Sequence, residues 1–128
     1  MRKYSKKGLE KRKKDREGYK EFFEEHVNKI RQERLCCEEC GERLQGNVSE
    51  IAHILPKQKY KSVAKNDNNV LYLCGMYSTN GCHDKFDNSK LEVIKEMKVY
   101  KKGVEQFARL ESLIEEKIDY KTYDKWEN

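Results

Sequence analysis

The chain has 128 residues, 40% of them charged and 36% hydrophobic, with a net charge of +5. A chain of this length forms one domain with a modest core, and small cores of this kind usually need a disulfide or a metal as a staple. No apolar run reaches the roughly 18 residues that span a bilayer. The basic start, MRKYSKKGLEKRKKDREGYK, lacks the apolar segment of a secretory signal. The expected setting is therefore cytoplasmic, with no membrane partner, and there five cysteines read as metal ligands or free thiols rather than disulfides.

The charge is unevenly placed. Residues 1–34 carry 13 Lys/Arg against 7 Asp/Glu, residues 35–90 carry 7 of each, and residues 91–128 carry 8 against 9. Residues 1–18 read as a basic, flexible arm, suited either to a polyanion partner or to a solubilising role. Within it Lys11, Arg12, Lys13 and Lys14 form the densest cationic run. Residues 19–34 read as an amphipathic helix, because Tyr19, Phe22, Phe23, His26, Val27 and Ile30 recur at three- and four-residue steps. His26 falls on or beside that stripe and reads as a packing histidine.

Residues 35–90 form the expected core. CCEECGERLQG, from Cys36 to Gly46, has the form of a zinc knuckle. Val48 to Leu55 reads as a strand that Pro56 ends, and KQKYKSVAKNDNN as a polar loop. Asn69 to Cys74 reads as a second strand, and GMYSTNG as another loop. Cys82 to Asn88 begins a short helix. Residues 91–128 read as a helical extension. Ser89 and Glu92 fit a capping box for a helix carrying Leu91, Ile94 and Met97. Gly103 interrupts, and Val104, Phe107, Leu110, Leu113, Ile114 and Ile118 mark a further helix.

Cys37-x2-Cys40 and Cys74-x7-Cys82 are two pairs about one ββ unit apart. Four thiolates close a tetrahedral zinc site that ties two loops together and leaves no open position for chemistry. Cys36 is spare on this reading. A site of Cys37, Cys40, Cys74 and His83 is the alternative. His83 and Asp87, four apart on a helix, share a face and suit one divalent ion.

The order Cys-x2-Cys, AHI-x-P, N-x4-C, CH-x3-D, from Cys37 to Asn88, resembles the HNH endonucleases of the ββα-metal superfamily, and more narrowly their zinc-stapled, phage-type members. The resemblance implies an α+β fold: a small ββα core stapled by a four-cysteine zinc site, here flanked by N- and C-terminal helices. It implies a hydrolase that cuts phosphodiester bonds in DNA, or in RNA. His53 would be the general base, Asn69 the residue that ties the loop and helps orient that base, and His83 a metal ligand, with Asp87 a second ligand in some members. The catalytic ion would be Mg²⁺, Mn²⁺ or another divalent transition ion; imidazole plus carboxylate favours the latter two. Many members place a metal-binding residue directly before the base, where this chain has Ala52. Glu50, two residues earlier and on the same strand face, is the candidate substitute. Lys57, Lys59, Lys61 and Lys65, with the basic arm, would contact phosphates, and Tyr60 and Tyr77 would stack on bases or pack. Small nucleases that cut both strands often work as dimers, so a second copy of the chain is a candidate partner. The competing reading is a non-catalytic zinc module that docks nucleic acid or protein through the C-terminal helix and Tyr120, Tyr123 and Trp126. A plainer role for those three is packing against the N-terminal helix.

Overall fold

The computed structural model describes residues 6–127, with side chains from residue 18 onward. The fold is α+β: five helices around one antiparallel sheet of two strands. The first helix, α1 (Lys6–Glu33), starts well before residue 19, so its backbone is helical through most of the stretch read as an arm. Its buried face is the expected one: Phe22, His26 and Ile30 are buried, and Phe23 and Val27 pack beside them. Arg34 ends it at φ 52, and the Leu35 amide bonds back to the Ile30 carbonyl, which closes the last turn.

The knuckle follows. Cys36 pairs with Arg43 as an isolated bridge, the Cys37 amide donates to Glu42 O, and the Gly41 amide donates to Cys37 O. Gly41 sits at φ 81, a conformation that side chains disfavour.

Both strands are shorter than their sequences suggest. Val48–Glu50 is a 3-10 turn, and β1 is only Ile51–His53. Asp67–Asn69 is likewise a 3-10 turn, and β2 is Val70–Tyr72. The register pairs Ile51 with Tyr72, Ala52 with Leu71 and His53 with Val70. One further backbone bond flanks the sheet at each end, Leu73 N to Glu50 O and Ile54 N to Asn69 O. Apolar runs of six to eight residues cannot by themselves show where a strand gives way to a tight turn.

Helix α2 spans Cys82–Asn88, as the sequence suggests. The expected capping box is absent from the next helix, α3 (Leu91–Glu96): Lys90 is its N-cap, without a side-chain cap, while Ser89 closes α2. Helix α4 spans Tyr100–Leu110, so Gly103 lies inside a helix rather than interrupting one. Past Leu110 the chain makes a 3-10 turn over Glu111–Leu113, and Ile118 lies outside any helix. A last helix, α5 (Tyr120–Trp126), is capped by Asp119, whose side chain accepts from the Thr122 amide.

Gly103 and Trp126 explain one another. A Cβ at position 103 would overlap the Trp126 ring. Trp126 is 1% exposed, stacks on Tyr100 at 5.5 Å, and lies 5.9 Å from Phe86. Trp126 therefore packs on α4 and α2, and Tyr123 meets Phe107 of α4. Gly103→Ala must push the indole outward. The expected cost is about 1–3 kcal/mol, seen as a lower unfolding midpoint and a red-shifted emission from this sole tryptophan. Unchanged emission and midpoint would refute the close approach.

Candidate functional site

Four sulfurs converge between the knuckle and the start of α2. The Sγ atoms of Cys37, Cys40, Cys74 and Cys82 all lie within 4.8 Å of one another. Four ligands at ~2.3 Å from a tetrahedral ion must be ~3.8 Å apart, and Cys40 Sγ and Cys74 Sγ are 3.7 Å apart. Amides already point at the sulfurs: Cys40 N donates to Cys37 Sγ at 3.5 Å, Glu42 N to Cys40 Sγ at 3.5 Å, and Cys82 N to Cys74 Sγ at 3.3 Å. This cluster can hold a metal ion. Cys36 is exposed and outside it. His83 is outside it too, with its nitrogens engaged elsewhere.

The cluster fixes where α2 begins. Gly81, at φ 55, turns the chain into the helix, and the His83 amide donates to Cys74 O at 3.1 Å. His83 Nδ1 then donates to Ser49 O at 2.5 Å, and Nε2 faces Asp87 Oδ2 at 3.0 Å. Burial pushes the His83 pKa down, but the hydrogen bonds to Asp87 and Ser49 outweigh it and the net shift is upward. The pair is thus a histidine–carboxylate contact that favours the protonated ring. With Nδ1–H committed to Ser49, loss of the second proton would leave an Nε2 lone pair 3.0 Å from a carboxylate oxygen. That is a nitrogen–oxygen donor set for a divalent cation.

His53 closes β1 and shares a cleft of about 540 Å³ with His83 and Asp87. Burial chiefly, then the Lys57 charge, pushes its pKa down to about 4. A backbone hydrogen bond at Ala64 works in the other direction, the sign of a ring N–H donating to a carbonyl. Nε2 is buried and has no partner among the described residues, which leaves Nδ1 as the nitrogen able to make that bond. With the ring proton on Nδ1, the free lone pair is on Nε2. Phe23 meets the ring edge-on at 5.6 Å and limits its tilt.

Asn69 is fully buried and clasps the segment after His53. Its Oδ1 accepts from Leu55 N at 2.7 Å, and its Nδ2 donates to Leu55 O at 3.0 Å. This ties the β2 entry to the β1 exit. His26 is buried as a packing residue, held by the Tyr72 hydroxyl at 2.6 Å and Asp67 at 3.0 Å.

Several expectations need correction. Glu50 is no metal ligand: it lies in the 3-10 turn, 3% exposed, and its carboxylate accepts the amides of Gln45, Gly46 and Asn47 at 2.6–2.9 Å. Ala52 is fully buried in the core and does not line the cleft, so a ligand at that position would face away from His83. Lys59 is ion-paired to Asp119, the cap of α5, and serves the fold rather than a phosphate. Tyr60 is fully buried with its hydroxyl on Thr122, while Tyr77 is 75% exposed. Lys57 does line the cleft; Lys61 and Lys65 are exposed outside it. The side chains of Lys11, Arg12, Lys13 and Lys14 lie outside the described residues.

One cleft residue has no signal in the sequence. Lys125, from α5, lines the same cleft as Lys57 and Asp87 and feels the Asp87 charge. Burial lowers its pKa, and the Asp87 charge opposes that. Nothing in the charged tail DYKTYDKWEN sets this lysine apart.

The His53 shift has a consequence for stability. Its native pKa is depressed, so below about pH 6.5 the unfolded chain binds a proton that the native chain refuses. Stability from this group is complete above the unfolded value and is lost as the pH falls toward about 4. Between about pH 7 and about pH 5 the wild type should lose about 2 kcal/mol more unfolding free energy than His53→Gln. Parallel pH profiles in denaturant titrations would show instead that the ring is solvated.

Among known proteins, no family model, no curated protein and no solved structure matches this chain, and among its described residues no helix is long and apolar enough to cross a membrane.

Proposed function

We propose that the chain is a metal-dependent endonuclease of the HNH type that hydrolyses phosphodiester bonds in DNA, with a zinc-stapled ββα core. The observation that carries this reading is the cleft. It holds a histidine with an unpartnered ring nitrogen on a strand, and a histidine–carboxylate pair on the helix behind it. β1, β2 and α2 are then the ββα unit, and the residues between Cys37 and Asn88 are its extent.

The roles follow from the tautomer and the donors. His53 Nε2 accepts the proton of a water as the water oxygen bonds to phosphorus and the phosphorus–oxygen bond to the leaving group breaks. Nδ1–H, held at the Ala64 backbone, keeps that lone pair aimed while the ring becomes an imidazolium. Asn69 holds Leu55 and so fixes the end of the strand that carries the base. His83 and Asp87 would hold the catalytic cation, Mn²⁺ or another transition ion in preference to Mg²⁺. Such an ion, when bound, supplies polarisation of a phosphoryl oxygen and stabilises the leaving oxygen. Cys37, Cys40, Cys74 and Cys82 would hold zinc, whose closed coordination gives structure and no chemistry. Lys57, 5.0 Å above the Phe23 ring, offers a cation to the phosphate.

The competing reading, a zinc module that docks through its aromatic tail, is weakened by that tail's packing. Trp126 is buried and Tyr123 packs against the core, which leaves Tyr120 as the exposed member.

Two experiments test the proposal. Supercoiled plasmid should be nicked in Mn²⁺ and not in EDTA, and His53→Ala should lower the rate by about 10²–10⁴-fold. Intact plasmid under every divalent ion, with DNA still bound, would instead establish a binding module. Metal analysis should find one zinc per chain. Its removal by a strong chelator, or Cys40→Ser, should abolish the cooperative unfolding transition; a metal-free chain that still melts cooperatively would overturn the staple.

A further inference from the structure

We propose that Lys125, delivered by the C-terminal helix, is a second phosphate-binding residue of the cleft, acting with Lys57, which lines the same cleft. The inference rests on the nuclease reading and names a contact of that same site. It also gives residues 91–128 a place in the site.

Three observations carry it. First, Lys125 and Lys57 line one cleft together with His53, His83 and Asp87. Second, each ammonium is held by a pair of aromatic rings. Lys125 Nζ is 5.1 Å from the Phe86 ring and 5.1 Å from the Trp126 ring; Lys57 Nζ is 5.2 Å from Tyr19 and 5.0 Å from Phe23. Third, among the described residues neither ammonium forms an ion pair with a carboxylate, whereas Lys59 and Lys102 do. A ring face orients a cation without neutralising it. A lysine meant to lock α5 in place would gain more from a carboxylate, as Lys59 gains from Asp119 at the other end of that helix. Two ring-oriented cations, neither in an ion pair among the described residues, on the lining of one cleft match an anion bound there.

The scaffold behind Lys125 is rigid. Trp126 is wedged over Gly103, and the Tyr100 hydroxyl donates to Lys125 O. The backbone at 125 is thus fixed from both sides, while the side chain crosses the Phe86 ring toward Asp87. A phosphodiester in the cleft would meet Lys57 near the base and Lys125 near the His83–Asp87 pair.

The test is DNA binding in EDTA, where no cleavage occurs, using a short fluorescein-labelled duplex over a range of salt. Lys125→Met keeps the stem on the rings and removes the charge. It should lower the slope of log affinity against log salt by about one, with about eightfold weaker binding at ~0.1 M salt, irrespective of base sequence. Lys125→Arg should restore both. An unchanged slope in Lys125→Met overturns the proposal, as does failure of Lys125→Arg to recover it. Should Lys125→Met not fold, judged by Trp126 emission, Lys125→Gln is measured in its place and read the same way. A second readout separates this idea from the parent reading. If plasmid is never cut but the slope still falls, the nuclease assignment fails and the phosphate contact stands. If cutting depends on His53 and the slope does not move, the nuclease stands and Lys125 is structural.

Discussion

Three residue pairs of sheet leave most backbone groups around the site without a ladder partner. Buried peptide groups must be satisfied all the same, and here side chains do it. Asn69 takes both polar groups of Leu55, Glu50 takes three amides in a row, Glu38 takes the Tyr72 amide, and Gln106 takes the carbonyls of Asn68 and Val70. A longer sheet would hold its register through repetition. This one holds it through a few buried polar clasps, each costing about 1–3 kcal/mol if its partner is left unsatisfied. The position of His53 therefore depends on side chains that never touch the cleft.

The sulfur cluster and the cleft are mechanically one object. Cys82 and His83 are neighbours at the first turn of α2, and Cys74 supplies both a sulfur to the cluster and a carbonyl to the His83 amide. A metal in the cluster would set the start of α2, and hence the direction of His83 and Asp87, without contacting either. Loosening the knuckle should move the histidine–carboxylate pair relative to His53, and because Cys37, Cys74 and Cys82 belong to the buried core it should loosen that core as well.

The sequence displayed the features whose spacing is local. The stripe on α1, the extent of α2 and the two cysteine pairs are all readable because their residues sit within a few positions of each other. Asn69 was readable as a clasp only through the family resemblance, since NDNN looks like any polar turn. The misreadings have a common cause, which is a partner far along the chain. Gly103 looks like a helix breaker until Trp126 is known to lie on it. Glu50 looks like a spare ligand because a strand would align it with Ala52; the 3-10 turn changes the phase, and its amides come from a loop that has no marked composition. Lys59 looks like a phosphate contact until Asp119, sixty residues on, is placed beside it. Lys125 carries no local mark at all, because its meaning comes from the cleft it faces.

On the nuclease reading, the electrostatics of the cleft are those of a site that awaits an anion. Burial and the Lys57 charge together weaken His53 as a base, and a general base works best when its pKa lies near the working pH. This is a property of the protein groups alone. A phosphodiester between Lys57 and Lys125 cancels the charge that depresses His53 and adds a negative one beside the ring, and both changes favour protonation. The base then gains proton affinity as the substrate arrives, while the neutral lone pair it needs has been kept available over the whole range above about pH 4. Aromatic rings suit this arrangement better than carboxylates as supports for the two lysines. A fixed carboxylate would already have cancelled the lysine charge, and the incoming phosphate would then change the field at His53 far less.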